Sequence, residues 1–153
     1  MISLKPLRPA DSECLFKLIQ NSKAHLTQNG DYKDLIDRDL RSTKIDLSQS
    51  STGQESFGVF LDNKIIGTAT LIRYSRTVYG LGYWIGDGFQ GHGYMTEAVS
   101  WLITYAKDNY SATEIWAGIK HANTPSIKLV KRLGFELRRE QETHLSFQLC
   151  PVT

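Results

Sequence analysis

Tyr83-Trp84-Ile85-Gly86-Asp87-Gly88-Phe89-Gln90-Gly91-His92-Gly93-Tyr94-Met95-Thr96-Glu97-Ala98 is the stretch on which the reading of this chain turns. Residues 77–85 alternate as a strand does. Four glycines follow within eight residues. From residue 94 to about residue 109, Met95, Ala98, Val99, Leu102, Tyr105 and Ala106 recur at helical spacing. Strand, glycine turn and helix therefore succeed one another. Glycines let consecutive backbone N–H groups turn inward together, and a helix N-terminus adds partial positive charge. Such a turn suits an anion, phosphate above all. A glycine-rich loop with no ligand is the plainer alternative; the strength of both flanks favours the phosphate site.

Gly86-Asp87-Gly88-Phe89-Gln90-Gly91 matches the dinucleotide pattern G-x-G-x-x-G letter for letter. The context does not follow. A dinucleotide fold wants Asp or Glu at the end of the next strand to hold the ribose. Here that strand ends Ile119-Lys120-His121. Too little chain remains for a second mononucleotide half, and a meander precedes the loop. No Gly-Lys-Ser/Thr follows the glycines, which excludes a Walker A loop.

Working outward, residues 2–7 read as a first strand. Asp11 or Ser12 can cap a helix with Leu15, Phe16, Leu18 and Ile19 on its apolar face. Asn29-Gly30 breaks the chain. Residues 31–44 read as one second helix, with Tyr32, Leu35, Ile36 and Leu40 inward. Asp31, Asp34, Asp37, Asp39 and Asp46, interleaved with Lys33, Arg38, Arg41 and Lys44, make a salt-laced outer face. Residues 46–54 read as a loop. Residues 56–61 and 65–74, joined at Asp62-Asn63-Lys64, form a hairpin that 77–85 extends. Residues 114–119 are a strand. Residues 124–133 are a helix capped by Asn123 or Thr124, with Pro125 in its first turn and Gly134 past its end. Residues 135–141 and 144–149 close the sheet. The order β-α-α-β-β-β-α-β-α-β-β is a mixed α/β (α+β) architecture with a mostly antiparallel sheet.

The chain's 153 residues, 41% apolar and 22% charged, suit one domain spanning 1–153. A net charge of +2 is too balanced to imply nucleic acid or a membrane surface. No apolar run is long enough to span a bilayer, and the start carries no signal-peptide pattern. Cys14 and Cys150 lie at opposite ends with no metal spacing, so no metal is expected and the cytoplasm is the default compartment.

In another framing, Gln90-Gly91-His92-Gly93-Tyr94-Met95 resembles the Q/R-x-x-G-x-G/A pyrophosphate loop of the GNAT acetyltransferases. Met95 departs from it, standing where Gly or Ala is usual. Asn123-Thr124-Pro125-Ser126-Ile127-Lys128-Leu129-Val130-Lys131-Arg132-Leu133-Gly134-Phe135 resembles the N-x-x-S…L-G-F segment of the RimJ/RimL-like branch. Element order and length match that family over essentially the whole chain.

The resemblance implies acetyl-CoA as co-substrate and a sheet splayed between the fourth and fifth strands to hold the pantetheine arm. A backbone N–H near Trp84 or Ile85 would polarise the acetyl carbonyl. Gln90, Gly91, His92, Gly93, Tyr94, Met95 and Thr96 would hold the pyrophosphate. Lys128 or Lys131 would reach the 3′-phosphate, unless they simply form a solvated face. Asn123 would contact pantetheine and Ser126 the sulfur; a helix cap and an ordinary first-turn serine are the plain alternatives. The family's tyrosine acid falls at Val130 and its strand glutamate at Gly118, so neither catalyst transfers. Weak-base candidates are His121, Glu140 and Glu142; His25, His92 and His144 default to structural roles. An enzyme with a weak base suits an α-amine better than lysine. The implied activity is N-acetylation of a primary amine, foremost a protein N-terminus of ribosomal-protein type. The rivals are a small-molecule amine acetyltransferase and a non-catalytic acyl-CoA-binding module. The expected state is monomer or homodimer.

Overall fold

A computed structural model describes residues 1–29, 32–48 and 53–153. The expected break at Gly30, the helix start at Asp31 and residues 49–52 of the expected loop lie outside them. The elements are β1 (Ile2–Pro6), α1 (Ser12–Asn21), α2 (Lys23–Thr27), α3 (Lys33–Ile36), α4 (Leu40–Ser48), β2 (Gln54–Leu61), β3 (Lys64–Arg73), β4 (Val78–Ile85), α5 (Tyr94–Tyr110), β5 (Glu114–Lys120), α6 (Thr124–Arg132), β6 (Glu136–Glu140) and β7 (His144–Leu149), with a 3-10 turn (Pro9–Asp11) before α1.

Seven strands form one sheet in the order β1-β2-β3-β4-β5-β7-β6. Every pairing is antiparallel except β4 with β5. The hairpin between β2 and β3 turns at Asp62 (φ 49°) and Asn63 (φ 69°), both left-handed, as a two-residue turn matched to strand twist requires.

Strand alternation sends side chains to two cores, one on each face. Val59, Ile66, Leu71 and Tyr79 meet Met95, Val99, Leu102 and Ala106 of α5 and Leu129 and Val130 of α6. Phe60, Ile65 and Trp84 meet Leu15, Ile19 and Leu26 on the opposite face. Ile103 takes the buried place in α5 that the periodicity gave to Tyr105, which is only half-buried.

Two helices were expected before β2; the described residues there form four α-helices. The first ends at Asn21, and α2 restarts at Lys23 after the buried Ser22. The second is cut at residues 37–39, where Asp39 accepts a hydrogen bond from the Ser42 N–H at 2.7 Å and starts α4 afresh. That same bond holds the Asp39 carboxyl below its ordinary pKa. Arg38 clamps Asp46 with two bonds of 2.6 and 3.1 Å. Helix α4 runs on to Ser48, into the segment expected as loop.

Glu55 on β2 accepts hydrogen bonds from the hydroxyls of both Tyr105 and Tyr110. Burial first, then the Glu55 carboxylate, pushes Tyr105 up to about 12 from 10.0. A raised pKa favours the protonated phenol in the folded chain. The resulting stability is present below about pH 10 and is lost as pH climbs toward about 12. Glu55→Gln is expected to bring one tyrosine titration back toward pH 10, read from tyrosinate absorbance; an unmoved curve would show that Glu55 does not act on the phenol.

Candidate active site

The pairing of β4 with β5 covers only Val78↔Glu114 through Leu81↔Ala117. Beyond it the two strands part, so residues 82–85 lack a strand partner on that side. The direction of each peptide follows from the antiparallel β3–β4 ladder. The Gly86 N–H bonds the Ile66 carbonyl at 2.7 Å. Alternate residues of a strand turn both backbone groups to the same neighbour, so Trp84, paired with Thr68, faces β3. Tyr83 and Ile85 face the gap. This corrects the expectation for Trp84: it borders the cleft, but its N–H points away, and its ring is buried in the opposite core. Ile85 turns its peptide to the gap, and Tyr83 does the same. The Tyr83 carbonyl accepts a hydrogen bond from the Tyr32 hydroxyl at 2.7 Å.

The glycine turn closes one end of this gap. Gly88, Gly91 and Gly93 have φ of 95°, 83° and 79°, left-handed values that glycine adopts without strain. The turn is braced from within. Gln90 accepts from the Gly88 N–H at 2.7 Å and donates to Asp87 at 3.0 Å. Asp87 N–H donates to the buried Ser22 hydroxyl at 2.9 Å, tying the turn to the end of α1. The side chain of Gln90 thus shapes the loop. Gly93 is the N-cap of α5, and the N–H groups of Tyr94, Met95 and Thr96 have no carbonyl within their own helix to bond. Met95 is 7% exposed and packs in the core beneath the turn, which explains how a large residue fits a position expected to be small.

The N-terminus of α6 lines the same cleft as the N-terminus of α5. Asn123 caps α6, accepting from the Ser126 N–H at 3.3 Å. Arg132, at the far end of α6, donates to the Thr96 hydroxyl at 3.0 Å. The cleft has a volume of about 650 Å³. Its walls bring together Ile85, Gln90, Gly91, Gly93, Tyr94, Met95, Thr96, Asn123, Ser126 and Lys128 of the expected site.

Other expected residues lie elsewhere. His92 stacks on Tyr94, with ring centroids 5.3 Å apart, outside the lining. His121 is exposed, its Nε2 2.6 Å from the Gln141 carbonyl, and is not on the lining. Neither are Glu140, Glu142 or Lys131. Val130 is buried in the core, so the position where the family carries a tyrosine does not face the cleft here. Sequence reading missed Tyr32, Tyr83, His25 and Arg132, all of which line the cleft. Arg132 alone carried a local signal, lying one turn past Lys128 on the same helix face. No Asp or Glu lines the cleft among the described residues, and its cations, Lys128 and Arg132, both come from α6.

This arrangement fits a long, phosphate-bearing thioester: unpaired helix N–H groups for the phosphates, a parted strand for the arm's amides, and a serine further along. Among the described residues no group of three or more His, Cys, Asp or Glu can hold a metal ion. Among the described residues no helix is long and apolar enough to cross a membrane.

Residues 2–136 match the family model described as "Acetyltransferase (GNAT) domain", and the chain belongs to that family. It is an acyltransferase by that membership. "Probable N-acetyltransferase YjcK" of Bacillus subtilis is 27% identical over 144 residues, covering 88% of this chain and 80% of the relative. Two solved structures share the fold. The ribosomal L7/L12 alpha-N-protein acetyltransferase RimL, in complex with coenzyme A, superposes with a TM-score of 0.86 at 17% identity, over 98% of this chain and 94% of that one. Mycobacterium smegmatis RimJ, in complex with a CoA disulfide, gives 0.85 at 19% identity, over 97% and 81%.

Proposed function

We propose that the protein transfers the acetyl group of acetyl-CoA to a primary amine, foremost the α-amine of a protein N-terminus. The observation that carries this reading is the single cleft in which the parted end of β4, the glycine turn before α5 and the N-terminus of α6 converge.

In this reading the turn's N–H groups and the first turn of α5 bind the pyrophosphate. Lys128 and Arg132 supply positive charge at that end. The pantetheine amides pair with the gap-facing peptides of Tyr83 and Ile85, and an N–H there polarises the acetyl carbonyl as oxyanion donor. Ser126 stands at the sulfur. The amine attacks as the neutral base, and among the described residues no carboxylate on the walls holds it back as an ammonium ion. An N-terminus as acceptor is supported by the absence of a carboxylate from the cleft walls among the described residues, and by the likeness in fold to RimL, a ribosomal L7/L12 alpha-N-protein acetyltransferase.

The experiment follows free thiol release from acetyl-CoA over a panel of N-terminal peptides, lysine peptides and small amines. Turnover on peptides with a free α-amine is the expected result. Turnover confined to polyamines or other small amines would move the acceptor class. Tight acetyl-CoA binding with no thiol release on any amine would sink the enzymatic reading and leave a binding module.

A further inference from the structure

Among the described residues the Tyr83 hydroxyl is the one buried side-chain polar atom without a hydrogen-bond partner. About nine in ten buried polar groups are paired, and an exception points to something the fold alone does not use. The position is specific. Tyr83 lies on the parted end of β4 and lines both the main cleft and a smaller cavity of about 130 Å³. Ser126 also lines both. The residue's backbone carbonyl is held by the Tyr32 hydroxyl.

The chemistry of the pair follows from what each group can offer. Burial raises the Tyr83 pKa above its ordinary 10.0, and the Ser126 hydroxyl offsets this in part. The phenol is therefore a standing donor at neutral pH. Its oxygen is closed to water, whereas Ser126 is half-buried on the cleft wall. Tyr83 is thus placed to act through Ser126. We propose that Tyr83 is a positioning residue whose phenol, once acyl-CoA fills the cleft, donates a hydrogen bond to the Ser126 hydroxyl oxygen, turning the serine O–H toward the acyl-CoA sulfur. A hydrogen bond received at the oxygen polarises the O–H and strengthens its donation. The device replaces the tyrosine that the family carries at the position of Val130 without copying its proton transfer. A thiol near pKa 8.5 is a stronger acid than a phenol or an alcohol, so both protons stay on their oxygens. The amine nitrogen bonds to the acetyl carbon, the C–S bond breaks with its electron pair going to sulfur, and the surplus proton on nitrogen leaves to water.

This inference rests on the acetyl-CoA reading, and the test separates the two. Coenzyme A alone is titrated against pH on the protein, and thiolate is followed by its ultraviolet absorbance, with no amine present. Wild type is expected to lower the thiol pKa by about one unit, the size of one hydrogen bond to a charged group. Tyr83→Phe and Ser126→Ala are each expected to return most of that shift, and the double variant to return no more than Ser126→Ala alone. Turnover of Tyr83→Phe should fall about tenfold to a hundredfold with the KM for acetyl-CoA unchanged within about twofold. Without ligand, the melting temperature should match or exceed wild type, since the hydroxyl has no partner in the ligand-free fold. A wild-type thiol pKa in Tyr83→Phe, or two separate shifts adding in the double variant, overturns the positioning role while leaving acetyl-CoA binding intact. A marked drop in melting temperature overturns it as well, by showing the hydroxyl to be a structural bond. Failure of the wild type to bind coenzyme A overturns the acetyl-CoA reading and this inference together.

Discussion

Gly93→Val is expected to lower acetyl-CoA affinity at least a hundredfold. Gly93 caps α5 with φ 79° and ψ 5°. A valine there must leave the left-handed region or carry strain of about 1–3 kcal/mol. A Cβ at this position meets nothing within 4 Å, so the effect is conformational and not a clash. When the backbone relaxes, the N–H groups of the turn and first helical turn swing off the phosphates. Each charge-assisted bond is worth about 1.5–3 kcal/mol, so losing two costs about 3–6 kcal/mol of binding. Folding loses only the strain, a few degrees of melting temperature for a chain of this size. Calorimetric titration with acetyl-CoA, beside a thermal melt, separates the two. Gly88→Val is the control. It is equally left-handed at φ 95° with open space around it, but its N–H is already taken by Gln90. Unchanged affinity in Gly93→Val, or equal losses in both variants, would refute the assignment of the phosphates to this end of the turn.

That assignment was legible in the sequence because its signals are local. The glycines, the apolar spacing after Tyr94 and the Asn123-Thr124-Pro125 cap each act within a few residues, and the structure places α5 and α6 within a residue or so of their expected ends. The four-helix segment was less legible. Tyr32, Leu35, Ile36 and Leu40 keep helical spacing across the break at Asp37, and periodicity does not register that Asp39 caps a new helix. The direction of the Trp84 peptide depends on the pairing with β3, which fixes the phase of alternation and is written in no single strand. Tyr32 and Tyr83 stand 51 residues apart, and Ser126 lies on a third element. Their meeting is a product of sheet order, so the glycine turn and the two helix starts were readable and the side chains gathered across the cleft were not.

A peptide with a free α-amine is expected to be acetylated about a hundredfold faster than a lysine in a peptide whose N-terminus is blocked. The cleft sets this difference by what it lacks. Among the described residues no carboxylate lines it, and His25 is the one imidazole on its walls. His121, Glu140 and Glu142 stand away from it. The amine must therefore shed its proton largely to water. An α-amine of pKa about 7.7–8.0 is neutral roughly a quarter of the time near pH 7.4; a lysine of pKa about 10.4 is neutral about once in a thousand. The lysine cost is about 4 kcal/mol, against less than about 1 for the α-amine. The greater intrinsic nucleophilicity of the more basic amine recovers a small part of that gap. The pH dependence carries the sharper test. Between about pH 7.4 and 9.4 the neutral α-amine rises only about fourfold, while neutral lysine rises close to a hundredfold. The rate ratio should narrow accordingly, measured as kcat/KM for the two peptides across that range. A ratio that stays flat would mean that the protein removes the proton itself, and the search for a base would return to His25.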